Sequence, residues 1–400
     1  MGEDKGCLPF WQGFRVTELE VAERSVRVHL HPIDLAGLRC GRCGQAAQGL
    51  HERVARCIRD LSMLGRTVWL QVQLRRVCCR QCGTGMQQVS WLDRHSRLTR
   101  RLAEAVALWC AKLPIKHVAD MFDLHWSTVR EIDKRRLQSF LQGLPPAQPR
   151  RLVMDEFALY KGHRYASVVL DADTRRVLWI GQGRSRAAVR PFFQSLGPQG
   201  CSRIQAVAMD MNSAFDLEVR AHCPNARIVY DLFHVVAKYG REVISRVRVD
   251  AANRLRHDRP ARRVVKQSHW LLLRNPTRLG EGERIRLDEV LKANEPLMTV
   301  YVMAEQLKSL WRASSAWQWR RSWKDWLSLA RDSQIPALMH FAAKLRPYWR
   351  GILARVRWPM HTGQLEGINN KIKLIKRQAY GYRDADYFFL KIRAAFPGNP

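Results

Sequence analysis

A run of apolar, strand-forming residues near the middle of the chain ends in a carboxylate. Residues 151–160 read RLVMDEFALY, in which the apolar run leads directly into Asp155. A buried strand that ends in a bare carboxylate is costly to fold, because the charged group loses its hydration. A second buried-strand pattern, IQAVAMD, ends in the same way at Asp210. The chain is therefore expected to bring acidic groups to the ends of separate strands.

The segments around these two strands follow a regular order. Alternation of apolar and polar residues predicts strands, and apolar positions repeated every three to four residues predict helices. The predicted elements are strand 152–159, strand 164–171, strand 176–183, helix 185–196, strand 204–209, helix 213–222 and strand 226–230. This β-β-β-α-β-α-β order is that of the ribonuclease H-like fold. We therefore predict an α/β domain with a mixed five-stranded sheet and helices.

A long helical segment follows the last of these strands. The pattern stays helical from Asp231 for well over a hundred residues, and eight of the 14 tryptophans lie between Trp270 and Trp358. We interpret residues of about 245–355 as a helical insertion in the sheet domain. The helical sequence HTGQLEGINNKIKLIK follows this insertion, so it must fold back to reach the sheet.

Two features of the helical segment have more than one interpretation. Trp319, Trp323 and Trp326 have i, i+4, i+7 spacing, which is far more often a core stripe than a platform for stacking bases. We assign them to the core. Residues 241–266 contain nine Lys or Arg against three acids. Such a run is usually a solvated face, and contact with phosphates is an equally weighted alternative.

The charge of the chain predicts a polyanionic partner. Its 400 residues carry 68 Lys and Arg against 36 Asp and Glu, a formal net charge of +32. Nucleic acid is the default partner of a protein with so large a positive charge. No apolar run approaches the roughly 20 residues of a membrane-spanning helix, and the start, MGEDKGCLPFWQGF, shows no secretory signal. A cytoplasmic location is therefore expected. There, ten cysteines favour metal binding or burial over disulfides.

Two Cys-x-x-Cys pairs predict a zinc site early in the chain. Residues 14–31 alternate like a β-hairpin, and CGRCG and CRQCG follow at residues 40–44 and 79–83. Two tight knuckles would place four thiolates around one structural zinc ion. Residues 67–77 alternate like a strand leading into the second knuckle, as in a zinc ribbon. The predicted ligands are Cys40, Cys43, Cys79 and Cys82, with His51, Cys57 and Cys78 as nearby substitutes. Four unliganded core thiols are the alternative.

A helix-turn-helix is predicted next. A short helix at 115–122, a three-residue turn and a helix from Trp126, capped by Ser127 or Thr128, match this motif. The expected packing positions are Leu102, Val106, Trp109 and Cys110 of a preceding helix, and Val118, Ala119, Val129 and Ile132. The side chains predicted to face a DNA groove are Trp126, Ser127, Thr128 and Arg130. An ordinary helical hairpin is the alternative, but the basic charge favours DNA binding.

A proline-rich segment, GLPPAQP, divides the chain at residues 143–149. It is expected to act as a stiff linker. The predicted domains are a zinc-binding domain at residues 1–97, a helix-turn-helix domain at 98–142, the linker at 143–150 and a ribonuclease H-like domain at 151–400 that contains the helical insertion.

Three acids from separate elements could form one metal site. Asp155 and Asp210 would be neighbours in a ribonuclease H-like sheet, and Glu366, on the helix after the insertion, could complete the site. Phosphoryl transfer on DNA needs two divalent ions about 4 Å apart, and magnesium prefers carboxylate ligands. Each acid alone could be a cap or turn residue, but together they predict a catalytic site that uses magnesium or manganese. The adjacent Glu156 should point to the opposite face of its strand.

The chain resembles the DDE transposases of the ISL3 family of bacterial insertion sequences over nearly its whole length. The two knuckles, the helix-turn-helix and the stretches VMDEFAL, AMDMNSAF, YDLFHVV and GQLEGINNKIKLIKRQAYGYRD carry the resemblance. It implies that the acidic triad of the family falls on Asp155, Asp210 and Glu366. Asp231 and His234 match an Asp-x-x-His motif, which implies a supporting role near the active site or the DNA. A core-facing His234 is the alternative.

The helix that contains Glu366 adds predicted DNA contacts. Asn370, Lys373 and Arg377 follow Glu366 at spacings of 4, 7 and 11, so they should share its face and could grip phosphates. A solvated basic surface is the alternative.

These features lead to the hypothesis of a DNA transposase. The zinc finger and the helix-turn-helix would bind the terminal inverted repeats of an insertion sequence. The catalytic core would hydrolyse the end and join the freed 3′-OH to double-stranded target DNA. Pairing of two ends implies a homodimer or a higher oligomer, associated with the bacterial nucleoid. A non-enzymatic zinc and helix-turn-helix repressor and a stand-alone ribonuclease H-like nuclease are the alternatives.

Overall fold

The computed structural model describes residues 7–33, 37–160, 162, 164–360 and 362–399, without the side chains of residues 364 and 366. These residues form two compact units. The first comprises Met1–Gln142 and Lys376–Tyr387, and the second comprises Gly143–Ile375 and Phe388–Pro400. Each unit contains a five-stranded sheet and helices, so the architecture is α/β.

The sheet of the first unit is built around two long strands. Its strands are β1 (Phe14–Val21), β2 (Ser25–Pro32), β3 (Gly49–Met63), β4 (Arg66–Cys79) and β5 (Gly83–Met86). The predicted hairpin is confirmed as the antiparallel pair β1–β2. The strand predicted at 67–77 is β4, which pairs with β2 and β3. Leu30, Leu70 and Val72 are fully buried and belong to the core on one face of this sheet.

Three helices follow this sheet and confirm the predicted helix-turn-helix. They are α1 (Arg100–Cys110), α2 (Ile115–Phe122) and α3 (Trp126–Gln142). The buried cluster that joins them contains Leu102, Val106, Cys110, Val118, Ala119 and Val129, with Ile132 packed against it. The prediction was wrong for Trp109, which is 42% exposed. The buried stripe of α1 extends from Cys110 towards Ala107, so Trp109 lies at its edge.

The start of α3 also differs from its prediction. The helix begins at Trp126, so His125 is the preceding residue, and the backbone oxygen of His125 accepts from the N–H of Thr128 at 2.9 Å. The Nδ1 atom of His125 lies 2.7 Å from Oγ of Ser127 and accepts from the Ser127 backbone N–H at 3.4 Å. His125 therefore caps the helix in place of Ser127 or Thr128.

A short segment from the end of the chain belongs to the first unit. Residues Lys376–Tyr387 pack with the helix-turn-helix, although about 250 positions separate them in the sequence. The Tyr387 hydroxyl donates to the fully buried carboxylate of Asp133 at 2.6 Å. Lys134 forms an ion pair with Asp384 at 3.5 Å. Asp133 and Lys134 both lie on α3. Residues 376–387 therefore support the helix that is predicted to read DNA.

The sheet of the second unit is mixed, as predicted. Its strands are β6 (Arg151–Tyr160), β7 (Arg164–Asp171), β8 (Val177–Gln182), β9 (Ala206–Met209) and β10 (Arg227–Tyr230), and helices α4 (Arg186–Ser202) and α5 (Ser213–His222) alternate with the last strands. The order across the sheet is β10-β9-β6-β7-β8. Strands β6, β9 and β10 are parallel, and β7 and β8 form antiparallel pairs beside them. The predicted sequence of strands and helices is therefore confirmed.

The chain after β10 is helical, as predicted. The helices are α6 (Leu232–Tyr239), α7 (Ser245–Arg254), α8 (Arg259–Gln267), α9 (His269–Leu273), α10 (Glu281–Lys292), α11 (Glu295–Ser309), α12 (Ala316–Asp332), α13 (Pro336–Leu345), α14 (Trp349–Ala354), α15 (Gly363–Gln378) and α16 (Ala385–Ala395). Trp319, Trp323 and Trp326 are confirmed as a stacked core stripe. Most of the basic residues at 241–266 are exposed on α7 and α8, which fits both interpretations of that segment.

These helices share one core with the sheet of the second unit. A single buried cluster contains residues of β6 and β9 as well as of α11, α12 and α13. Helix α14 approaches β10 so closely that a Cβ at Gly351 would lie 2.4 Å from the Tyr230 ring, which requires glycine there. The long helical segment therefore folds back onto the sheet. Among the described helices, none is both long enough and apolar enough to cross a membrane.

Candidate functional site

Two acidic side chains lie at the same level of the second sheet. Val153 of β6 pairs with Ala208 of β9 in parallel register, and Asp155 and Asp210 each follow two residues later. Strand β9 ends at Met209, and Asn212 then caps α5 by accepting from the N–H of Ala214 at 2.9 Å. The strand register therefore brings together the two carboxylates that the sequence predicted as neighbours.

Both carboxylates occupy surroundings that disfavour their charge. Asp155 is 9% exposed, and burial raises the pKa of its carboxyl group, although the N–H of Glu156 donates to Oδ1 at 2.8 Å. Burial also raises the pKa of Asp210 to about 6, and the negative charges of Glu156 and Asp155 add to this effect. Oδ1 of Asp210 is buried and has no hydrogen-bond partner among the described residues. These two groups are therefore suited to binding a cation.

Helix α15 reaches the first of these carboxylates. Nδ2 of Asn369 donates to Oδ2 of Asp155 at 3.0 Å, so the chain beyond the long helical segment returns to the sheet. Glu366 lies three residues before Asn369, which places the two positions on the same face of the helix. The side chain of Glu366 lies outside the described residues. Oδ1 of Asn369 is buried and, among the residues described, also lacks a hydrogen-bond partner.

A second link holds the start of α15. Asp231 caps α6, with Oδ1 accepting from the N–H of Phe233 at 3.1 Å. Oδ2 of Asp231 accepts from the N–H of Thr362 at 3.1 Å and from the Thr362 hydroxyl, and both residues are buried. Thr362 directly precedes α15. His234, on α6, is half-buried and lies near both acids, since its charge lowers the pKa of Asp155 and of Asp210 against the effect of burial.

Glu156 lies closer to the two acids than the alternation of the strand predicts. Its carboxylate accepts from Nη1 of Arg184 at 2.8 Å and from Nδ2 of Asn212 at 3.4 Å, and its charge raises the pKa of Asp155 and Asp210. Glu156 was predicted only to point to the opposite face of its strand, and these contacts bring its carboxylate beside the turn that follows Asp210.

An arginine completes the polar surroundings of the site. The guanidinium of Arg184 is bonded to Glu156 and lies 4.3 Å from the ring centroid of Tyr165. Its side chain is 51% exposed, and its hydrogen bond with Glu156 raises its pKa, to which the charge of Asp210 also contributes. Sequence reasoning missed Asn369, Asn212, Thr362 and Arg184. A signal existed for Asn369 alone, because it lies at i+3 from Glu366.

The predicted DNA contacts lie on two helices. On α15, Asn370, Lys373 and Arg377 are exposed. On α3, Trp126 is 49% exposed, Ser127 and Thr128 are half-buried, and the Arg130 guanidinium lies 5.3 Å from the Trp126 ring centroid. Arg130 also donates to Glu131 at 3.1 Å. All four predicted residues of α3 thus lie within its first turns.

The four predicted zinc ligands come together in the first unit. The sulfur atoms of Cys40, Cys43, Cys79 and Cys82 all lie within 4.8 Å of one another. The glycines after the two knuckles, Gly44 and Gly83, have φ of +72° and +69°, a conformation that favours glycine. His51, Cys57 and Cys78 do not belong to this cluster.

The thiols of this cluster fit a divalent cation. The backbone N–H groups of Cys43 and Arg42 lower the pKa of Cys40 to about 7. The hydrogen bond between Cys82 and Cys43, by contrast, raises the pKa of Cys82 to about 12, and burial and the charge of Cys43 add to this effect. Four ionised thiols at this spacing therefore need a bound cation, and a tetrahedral four-sulfur set is typical of structural zinc.

The burial of Asp210 has a consequence for stability. Because its pKa is raised, the folded state binds this proton more tightly than the unfolded state, so the contribution of Asp210 to stability falls as the pH rises from about 4 to about 6. We expect Asp210→Asn to raise the free energy of unfolding of the metal-free protein by about 2 to 3 kcal/mol above pH 6. Denaturant unfolding in the presence of a chelator measures this change.

The matched control is Asp325→Asn, because Asp325 is an exposed acid of the same unit. The free energy of unfolding of this variant should stay close to that of the unmodified protein at every pH. An Asp210→Asn variant that is less stable than the unmodified protein above pH 6 would contradict the prediction.

The architecture and the sites define a class of protein. A mixed sheet with two neighbouring carboxylates at its strand ends is joined in one chain to a four-cysteine cluster and a helix-turn-helix, within a strongly basic sequence. This combination is characteristic of enzymes that act on DNA.

Comparison with known proteins identifies the family. A family model described as transposase matches residues 152–392, a helix-turn-helix domain of transposase family ISL3 matches 87–137, and a zinc-finger of transposase IS204/IS1001/IS1096/IS1165 matches 37–82. The transposase for insertion sequence element IS1001 of Bordetella parapertussis is 51% identical over 394 residues, 97% of each chain. The transposase for insertion sequence element IS1557 of Mycobacterium tuberculosis (strain CDC 1551 / Oshkosh) is 28% identical over 375 residues, 86% of this chain and 82% of the relative. The chain therefore belongs to the ISL3 family of insertion-sequence transposases.

Proposed function

We propose that this chain cuts DNA at the ends of its insertion sequence and joins the freed 3′-OH to target DNA, with Asp155, Asp210 and Glu366 as the acidic triad. The observation that carries the proposal is the hydrogen bond from Asn369 to Asp155. It brings the helix of Glu366 to the sheet, across more than 200 positions of sequence. The match to the transposase family supports the same assignment.

The proposed triad would hold magnesium or manganese. The unpartnered Oδ1 of Asp210 and the mutual repulsion of the two aspartates support a cation at this position. Bound divalent ions supply activation of the attacking oxygen and stabilisation of the leaving oxygen. Carboxylates are the ligands that magnesium prefers. In the finger, Cys40, Cys43, Cys79 and Cys82 would hold one structural zinc ion.

The residues around the acids would fix their geometry. Asn369 orients the Asp155 carboxylate, and the bond between Asp231 and Thr362 anchors the start of α15. His234 lies near both aspartates and would offset part of their negative charge. Arg184 presents an exposed guanidinium that Glu156 and Tyr165 hold in place, so it would contact a phosphate of the bound strand.

The second sheet would be ribonuclease H-like. Three strands form an antiparallel meander, and two further parallel strands each follow a helix, which is the order expected of that fold. On this interpretation the helices between β10 and α15 are an insertion. Their shared core with the sheet explains how the insertion returns α15 to Asp155.

The first unit would recognise the element. The helix-turn-helix would bind the terminal inverted repeats through Trp126, Ser127, Thr128 and Arg130, supported by the zinc finger. Asn370, Lys373 and Arg377 would grip phosphates near the cut site. Pairing of two element ends then requires a homodimer or a higher oligomer.

A strand-transfer assay tests the proposal. The full-length protein is incubated with magnesium, labelled duplexes from the two ends of its own element and a target plasmid. We expect a joined product that requires magnesium and disappears with a chelator. If no metal-dependent joined product forms, the proposed reaction is wrong.

Two adjacent asparagines of α15 have different proposed roles: Asn369 positions Asp155, and Asn370 contacts DNA. Asn369 contacts Asp155, whereas Asn370 is exposed. We expect Asn369→Ala to lower the strand-transfer rate at saturating DNA by roughly 10- to 100-fold, because a misoriented metal ligand binds its ion less well. Asn370→Ala should instead weaken DNA binding. Rates over a range of DNA concentrations distinguish the two, and equal saturating rates for Asn369→Ala and the unmodified protein would contradict the positioning role.

A further inference from the structure

A polar groove lies within the first unit, away from the cysteine cluster. It encloses about 1420 Å³. Its lining residues come from the middle of β3 around Arg56, from the loop of residues 93–98, from α1, and from α3 between Ser127 and Ser139. Two residues predicted to face DNA, Ser127 and Thr128, line this groove. The groove is therefore continuous with the surface of the helix-turn-helix that is predicted to read DNA.

The loop of residues 93–98 is held rigidly. The N–H of Ser96 donates to the carbonyl of Asp93 at 3.0 Å, and Nη2 of Arg56 donates to the carbonyl of Ser96 at 2.7 Å. The carbonyl of Arg97 accepts from the N–H of Arg59 at 2.9 Å, which ties the loop to β3. A loop that is already ordered loses little conformational entropy when it binds a partner.

Three arginines of the groove have no side-chain partner among the described residues. Arg94 and Arg97 on the loop and Arg135 on α3 are exposed, and within the described part of the chain they make no side-chain hydrogen bond or ion pair. A guanidinium without a carboxylate partner is available to bind phosphate, often through two parallel hydrogen bonds.

The acids of the groove are largely occupied. Asp93 is paired with Arg100 at 2.6 Å, and Glu131 with Arg130 at 3.1 Å. Asp123 acts electrostatically on the guanidinium of Arg59. Glu104 is the remaining acid among the lining residues that the structure describes. The three free arginines therefore exceed the free negative charge, and the groove attracts a polyanion.

We propose that this groove binds the phosphate backbone of the duplex that α3 reads, through Arg94 and Arg97 on the loop and Arg135 on α3. The proposal rests on the proposed DNA-binding function and adds a second, sequence-independent contact from the loop of residues 93–98 and from α3. Such a contact fixes the orientation of the duplex without reading its bases. The rigid loop and the helix would then hold one DNA segment between them.

The salt dependence of binding tests this proposal. The probe is a short labelled duplex of mixed sequence, because phosphate contacts do not depend on sequence. Binding of the full-length Arg94→Ala/Arg97→Ala/Arg135→Ala variant is measured from about 50 to 200 mM salt. We expect affinity to fall roughly tenfold or more at low salt, and the slope of log affinity against log salt to become shallower by about 2.7.

The matched control removes the same charge elsewhere in the unit. Arg15, Arg24 and Arg53 are exposed, lie outside the groove and make no side-chain hydrogen bond or ion pair with described residues. The Arg15→Ala/Arg24→Ala/Arg53→Ala variant should keep most of the wild-type slope, and both variants should keep the wild-type unfolding midpoint.

Three results would overturn the proposal. A groove variant with the wild-type slope would show that these arginines do not contact phosphate, and the strand-transfer function would be unaffected by that result. An equal loss of slope in both variants would show that net charge alone accounts for the effect. A wild-type protein that binds no duplex would overturn the groove and the proposed function together.

Discussion

Replacement of Asp155 or Asp210 by Asn is expected to lower strand transfer by roughly a thousandfold or more, because a neutral amide cannot replace a carboxylate ligand of the proposed metal site. Asn has nearly the shape of Asp, so the strand ends should keep their geometry. The affinity for element-end DNA should remain close to that of the unmodified protein. The measurement compares joined product per unit time with end binding for each variant.

This comparison also separates the transposase from its two rivals. A non-enzymatic repressor would bind element ends and form no joined product, with or without the substitution. A stand-alone nuclease would cut branched DNA without terminal repeats. Undiminished joined product from Asp210→Asn would exclude that residue from the metal site, and a loss of end binding in the same variant would point to a damaged fold.

Removal of the proposed zinc ion is expected to have the second large effect. Structural zinc contributes apparent free energies of about 10–16 kcal/mol in small fingers. Here the sheet has its own apolar core around Leu30, Leu70 and Val72, so the loss should be smaller, on the order of several kcal/mol. We expect Cys79→Ser/Cys82→Ser to lose one zinc per chain, to unfold the first unit at lower temperature and to lose binding to element ends.

Zinc content by elemental analysis and thermal unfolding check this expectation. Cys57→Ser is the matched control, because Cys57 is an exposed cysteine of β3 outside the four-sulfur cluster. It should retain zinc and the wild-type unfolding midpoint. A double variant that still holds one zinc per chain would show that the four sulfurs are not the ligands.

The sequence predicted those parts of the structure that depend on local periodicity. The strands that end at Asp155 and Asp210 were predictable because their apolar runs are short and end abruptly in a charge. The two knuckles were predictable because Cys-x-x-Cys spacing has few other uses. The register Val153 to Ala208, which places the two acids at one level, depends on strand packing and has no local signature.

Contacts between distant segments account for most of what the sequence did not show. Spacings of four and seven from Glu366 predict Asn370 and Lys373 on its helix face, whereas Asn369 lies at a spacing of three, which belongs to the same face. Alternation along a strand gives the direction in which the Glu156 side chain leaves β6, but its contact with Asn212, 56 positions later, has no local signature. Nothing near Tyr387 indicates that its hydroxyl meets Asp133, 254 positions earlier.

The placement of residues Lys376–Tyr387 on the helix-turn-helix affects the order in which the protein can be completed during synthesis. A ribosome releases the chain from its amino terminus, and domains generally fold as their last residue emerges. The buried carboxylate of Asp133 gains its hydrogen bond from Tyr387 only once Tyr387 has been synthesised. The first unit therefore reaches its final packing only after almost the whole second unit has been made. A nascent or truncated chain thus lacks a finished first unit, and full recognition of an element end would be reserved for chains that already contain the proposed acidic triad.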